Sequence, residues 1–100
     1  MPLLTYAITN FNRLEDLKET IIEIKKNNFA DYEIVIVDSF SKDGSQKYLK
    51  ELKDEKIKTY LLNEDKGIGY ARLYALKKSM GEFIISLDDD CYINEQVALE

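Results

Sequence analysis

Phe83-Ile84-Ile85-Ser86-Leu87-Asp88-Asp89-Asp90 is a short apolar run that ends abruptly in three carboxylates. Such a run reads as a buried strand, with the acids where the chain leaves the sheet. Three like charges at one strand end raise one another's pKa. A hard divalent cation with oxygen ligands is a natural compensation; the alternative is an acidic, solvated turn. Asp38 closes a second apolar run, Glu33 to Val37. It can accept hydrogen bonds from a ribose or a base ring, or simply serve the following turn. Gly67-Ile68-Gly69 precedes a helical segment and can bring backbone amides to a phosphate. Arg72, one turn further on, can reach a diphosphate with its planar fork or make a surface ion pair. The six-residue dinucleotide fingerprint is incomplete, because Arg72 stands at the third-glycine position. Tyr6, Phe11 and Tyr70 can stack on a base or fill the core.

Composition narrows the chemistry. With no histidine in 100 residues, Ser-His-Asp hydrolysis, Cys-His proteolysis and His-ligated zinc are excluded. Cys91 has no partner for an intrachain disulfide and no imidazole to activate it. It reads as a packing residue and fits a reducing compartment. A net charge of -5 argues against a nucleic-acid-binding surface. No apolar run is long enough for a transmembrane segment, and Met1-Pro2-Leu3-Leu4 lacks the features of a signal peptide. At 45% apolar and 33% charged, the chain reads as one globular domain or part of one.

Four strand-like runs alternate with three helical patterns. The strands are residues 3–9, 33–38, 56–62 and 82–87. Residues 34–37 are β-branched without alternation, as a strand covered on both faces requires. Lys56 to Leu62 alternates in its first half and reads as an edge strand. The first helix carries Leu14, Leu17, Ile21 and Ile24 at helical spacing, with Asn12 and Glu15 spaced as a capping box. The second spans Ser45 to Asp54. The third has a small-residue stripe, Ala71, Ala75 and Ser79, suited to close packing on a sheet, and Gly81 stops it. Asn94 can cap a further helix. The order βαβαβαβ with short connections predicts an α/β, Rossmann-like parallel sheet with helices on both faces. Ligands in such folds bind beyond the carboxyl ends of the strands, where Asn10, Asp38 and Asp88 converge.

Taken in order, four motifs resemble the nucleotide-sugar-binding half of a family 2 glycosyltransferase with the GT-A fold. Thr9-Asn10-Phe11-Asn12-Arg13 resembles the family's Thr-Tyr-Asn-Arg turn. Ile34 to Gly44 resembles its second strand and acidic Gly-Ser loop. Lys66 to Arg72 resembles its glycine and Ala-Arg motif, and Gly81 to Asp90 its Gly-Glu strand leading to Asp-x-Asp. Two positions depart: Ser39-Phe40 replaces an Asp-Gly pair, and Leu73 replaces the Asn after Ala-Arg.

The resemblance implies a metal-dependent transfer of sugar from a nucleoside diphosphate sugar, UDP-sugar first among candidates, to an acceptor hydroxyl. It implies nucleotide-sugar contacts at Thr9, Asn10, Asn12, Asp38, Gly67, Arg72, Asp88 and Asp89. It implies Mn²⁺ or Mg²⁺ at Asp90 and Asp88. The general base is expected beyond Glu100, so residues 1–100 are expected to be a single binding domain truncated at its C-terminus. Such a domain would bind donor without transferring sugar, and would expose an apolar face prone to self-association. The expected location is cytoplasmic, with peripheral membrane attachment open to the parent protein. A non-catalytic nucleotide-binding or interaction module of the same fold is the alternative. A nucleotidyltransferase fits less well, because Asn10-Phe11-Asn12 is not its Gly-rich basic loop.

Overall fold

The computed structural model describes residues 4–26 and 31–88. Strands β1 (Leu4–Asn10), β2 (Tyr32–Asp38), β3 (Ile57–Leu61) and β4 (Phe83–Asp88) alternate with helices α1 (Leu14–Lys26), α2 (Ser45–Glu51) and α3 (Ile68–Lys78). The strands form one parallel sheet in the order β3-β2-β1-β4. This is the doubly covered α/β architecture expected from the pattern, and β3 is indeed at an edge. The strand order reverses between β1 and β4, which makes the crevice at their carboxyl ends the switch point of the sheet.

Strand alternation sorts the side chains into two layers. On one face Tyr6, Ile8, Ile34, Ile36, Ile85 and Leu87 meet Leu17, Ile21 and Ile24 of α1 and Leu49 of α2. On the other, Ala7, Val35 and Val37 meet Ala71 and Ala75 of α3. The small stripe lets α3 lie close to the sheet, as the sequence implies. Tyr6 is 1% exposed and stands edge-on to Tyr32, so it is a core residue and is not available to stack on a ligand.

Helix ends differ from the sequence reading for reasons of packing. α2 stops at Glu51, because Leu52 turns extended (ψ 128°) and packs against the core. Asp54, read as the end of that helix, instead pairs with Lys25 at 2.8 Å and accepts from the Lys56 N–H. Hydrogen bonding to Lys25 holds its carboxyl below the usual range. α3 ends at Lys78, before Gly81. The segment Met80-Gly81 is pinned instead to the amino ends of β1 and β2. Met80 N–H donates to Glu33 Oε2 at 2.6 Å, and Thr5 Oγ1 donates to the same oxygen at 2.6 Å. Gly81 N–H donates to Thr5 Oγ1 at 2.8 Å, and Lys58 Nζ lies 3.0 Å from Glu33 Oε1. Burial would raise the Glu33 pKa, but the bonds from Thr5, Met80 and Lys58 outweigh it and the net direction is down.

The outer surface of α3 is unusual. It buries alanines and exposes Tyr70, Leu73 and Leu76. On the edge strand β4, Phe83 is 58% and Ile84 40% exposed. An exposed apolar surface is therefore present, as expected. The predicted helix after Asn94 lies outside the described residues.

Candidate active site at the carboxyl ends of the strands

Three strands end side by side. Asn10 pairs in register with Asp38, and Thr9 with Asp88. The ladder runs on past the strand ends: Ser39 N–H donates to Asn10 O and Leu62 N–H to Asp38 O, both at 2.9 Å. Backbone bonding thus fixes the spacing of the three termini.

Asp38 is the hub. It is fully buried, and each carboxylate oxygen accepts two hydrogen bonds. Oδ1 takes Asn10 Nδ2 at 2.7 Å and Ser41 Oγ at 2.6 Å. Oδ2 takes Ser41 N–H at 2.8 Å and Gln46 Nε2 at 2.9 Å. Gln46 also donates to Leu62 O at 3.1 Å, which ties α2 to the end of β3. A carboxylate offers about four lone-pair positions, and all are filled from within the chain. Asp38 is therefore built as a rigid anchor for the groups around it. Ser41 and Gln46 carry this network and were not picked out from the sequence. The i to i+3 relation of Asp38 and Ser41 is a readable turn signal, whereas the Gln46 contact depends on where α2 docks.

The two loops interlock. Asn12 N–H donates to Ser41 Oγ at 2.8 Å, and Lys42 N–H donates to Asn12 Oδ1 at 2.7 Å. Asn12 sits at φ +54°, so it clasps the second loop and does not cap α1. The cap comes from Asp43, whose Oδ2 accepts the Leu14 N–H at 2.9 Å. Its Oδ1 accepts the Ser45 N–H and hydroxyl at 3.0 and 2.6 Å. One acid thus serves the first turns of two helices, a favourable place for negative charge. Burial opposes ionisation, but these bonds win and hold the Asp43 pKa low.

Phe40 is left-handed, at φ +63°, with the Lys42 ammonium 4.1 Å from its ring centre. A bulky L-residue is strained there by about 1–2 kcal/mol. In an ordinary loop, alanine is as stable as glycine or more so. Here Phe40→Gly is expected to be about 1 kcal/mol more stable than Phe40→Ala, read by thermal melts of both variants. An alanine variant equal to or better than the glycine variant would contradict the left-handed backbone.

Other predicted site residues take varied positions. Thr9 is 6% exposed. Gly67 has φ +91°, and its N–H donates to Asp65 Oδ1 at 2.9 Å. That N–H is therefore committed, while the first-turn N–H groups of α3 have no intrahelical acceptor. Arg72 is exposed on α3. An open cleft of about 390 Å³ lies beside the interlocked loops, lined by Asn12, Arg13, Leu14, Glu15, Asp16 and Asp43. Three carboxylates against one guanidinium disfavour a diphosphate there. Asp88 ends β4; Asp89 and Asp90 lie outside the described residues. Among the described residues no three metal-capable side chains cluster.

Residues 5–100 match the profile described as glycosyl transferase family 2. The chain belongs to that family. A "Putative teichuronic acid biosynthesis glycosyltransferase" of Bacillus subtilis is 29% identical over 91 residues, 89% of this chain and 36% of the relative. A Campylobacter jejuni "GalNAc(5)-diNAcBac-PP-undecaprenol beta-1,3-glucosyltransferase" is 34% identical over 94 residues, 90% of this chain and 30% of the relative. Among solved structures, Staphylococcus aureus TarS 1-349 in complex with UDP superposes with a TM-score of 0.83. It is 27% identical, with 93% of this chain and 29% of that one covered. The GT-A fold expected from the motifs is thereby established. This family 2 chain spans about a third of the length of the curated relatives it matches. No helix among its described residues is long and apolar enough to cross a membrane.

Proposed function

We propose that this chain is the donor-binding half of a metal-dependent glycosyltransferase that moves sugar from a nucleoside diphosphate sugar to an acceptor hydroxyl. The observation that carries the reading is the convergence of Asn10, Asp38 and Asp88 at adjacent strand ends on the switch point. The UDP complex of the structural neighbour TarS supports a uridine donor.

In this reading Thr9, Asn10 and Asn12 line the nucleoside side. Asp38 works through them, holding Asn10 and the Ser41 loop in place. The first turn of α3, entered through Gly67, favours the diphosphate by its N–H groups and dipole, and Arg72 adds a permanent cation. Asp88 ends β4 in register with Thr9, and the hard carboxylate oxygens of the Asp88-Asp89-Asp90 sequence fit a divalent cation. Asp90 and Asp88 would hold Mn²⁺ or Mg²⁺, with Asp88 also meeting the ribose or the sugar. When bound, the cation supplies Lewis-acid stabilisation of the departing nucleoside diphosphate. The acceptor and its base belong to the rest of the enzyme, which would cover the apolar surface of α3 and β4. Left uncovered, that surface would favour self-association.

The test is calorimetric titration with UDP. Affinity is expected to fall by about tenfold or more when EDTA replaces Mn²⁺. Equal affinity in both would remove the metal. No binding in a folded sample with metal would sink the donor-binding reading altogether.

A further inference from the structure

Resting on the nucleotide-binding reading above, we propose that the side-chain oxygen of Asn10 selects the nucleobase, favouring bases that carry a ring N–H over those that present a ring lone pair. Asn10 is 1% exposed at the end of β1. Its Nδ2 donates to Asp38 Oδ1 at 2.7 Å and to Ser41 Oγ at 3.3 Å. These partners fix the orientation of the amide. Turning it over would set its oxygen against a carboxylate oxygen. Oδ1 therefore points away from the network, where it is buried and has no hydrogen-bond partner.

Three backbone donors of the neighbouring loops are already engaged. Ser39 N–H is on Asn10 O, Ser41 N–H on Asp38 Oδ2, and Asn12 N–H on Ser41 Oγ. A buried carbonyl oxygen without a donor is costly, and at the ligand end of the sheet a ligand can bring that donor. Asp38 cannot read the base directly, because its acceptor positions are filled. Among the described residues at these strand ends, the buried side-chain oxygen without a partner is Asn10 Oδ1. Uracil offers it N3–H and guanine N1–H. Cytosine and adenine place a ring lone pair in the same position, which Oδ1 repels. The oxygen is buried, so contact with a base requires the groups that cover it to yield.

The experiment titrates the whole chain, with Mn²⁺, against UDP, CDP and N3-methyl-UDP. These pyrimidines match in charge and nearly in size. UDP is expected to bind about tenfold or more tightly than either of the others. Asn10→Ala, checked for folding by circular dichroism, is expected to bring all three within about threefold. If that variant does not fold, the wild-type comparison decides. Equal affinities in the wild type would overturn the inference and leave the nucleotide reading intact; a buried water would then satisfy Oδ1. Discrimination that survives in a folded Asn10→Ala would also overturn it. Failure of every nucleotide to bind would overturn the nucleotide reading itself.

Discussion

Replacing Asp38 with alanine is expected to destabilise the fold by about 4 kcal/mol and to abolish nucleotide binding. The carboxylate accepts four hydrogen bonds in a fully buried setting. Its removal strands the Asn10 amide, the Ser41 N–H and hydroxyl, and the Gln46 amide together. A buried donor left unpaired costs about 1–3 kcal/mol; the Ser41 hydroxyl can rotate and water can enter the gap, so the four do not sum. Even so, the loss is a large part of the roughly 5–15 kcal/mol available to a domain. Urea denaturation of both proteins measures it. Asp38→Asn keeps the shape and one acceptor oxygen, but turns an NH₂ toward donors. It is expected to lose about half as much. An alanine variant within about 1 kcal/mol of wild type would show that Asp38 anchors nothing.

What this hub implies for the site was only partly legible in the sequence. The strand at Ile34 to Val37 declared itself by four β-branched residues without alternation, and it is buried throughout. The acids at strand ends fell on one edge because every strand is parallel, and the order βαβαβαβ already requires that. The direction in which each acid acts was not legible. Asp38 read as a ligand contact or a turn residue, and its bonds to Asn10 and Gln46, 28 and 8 residues away, were not readable. The capping box read at Asn12 failed for the same reason. The residue that caps α1 is Asp43, 29 residues from Leu14, and only the docking of the two loops brings it there. Local chemistry predicts local bonds; Asn12, released from capping, bonds Lys42 instead.

Tyr6 shows the complementary failure. A tyrosine four residues before a strand terminus can face a ligand or the core, and residue type does not decide. Parity along the strand does: Tyr6 shares its face with Ile8, under α1, so its ring is buried. Phe40 was legible as a departure at a glycine position, but its left-handed backbone is a property of the loop and cannot be read from the phenyl ring. The proposed metal ligands stand differently. Asp88 is placed by β4, whereas Asp90 rests on the family resemblance.

Gly81→Ala is expected to cost about 3 kcal/mol, far more than a helix-stop glycine at an ordinary turn. Gly81 read as the residue that ends α3, yet the helix ends at Lys78 and Gly81 is not left-handed. Its constraint is space. A Cβ there would lie 2.6 Å from Thr5 Oγ1, 2.7 Å from Thr5 N and 2.8 Å from Leu4 C. Two of those atoms are backbone of β1, which is paired on both sides in the sheet, so they cannot yield cheaply. The third belongs to the hydroxyl that joins Gly81 N–H to Glu33. Overpacking of this kind typically costs about 1–3 kcal/mol, and displacing the Thr5 hydroxyl adds the loss of hydrogen bonds to a buried carboxylate, about 1.5–3 kcal/mol before relaxation. Thr5→Ala removes the hydroxyl but leaves the backbone contacts. In that background the alanine at 81 is expected to cost less, though still above about 1 kcal/mol, because the two effects share an atom and are not additive. A double-mutant cycle by urea denaturation separates them. If Gly81→Ala alone changes stability by less than about 0.5 kcal/mol, the close approach of this segment to β1 is wrong. The way α3 hands the chain to β4, and so brings the backbone of Asp88 into register with Thr9, would then need another explanation.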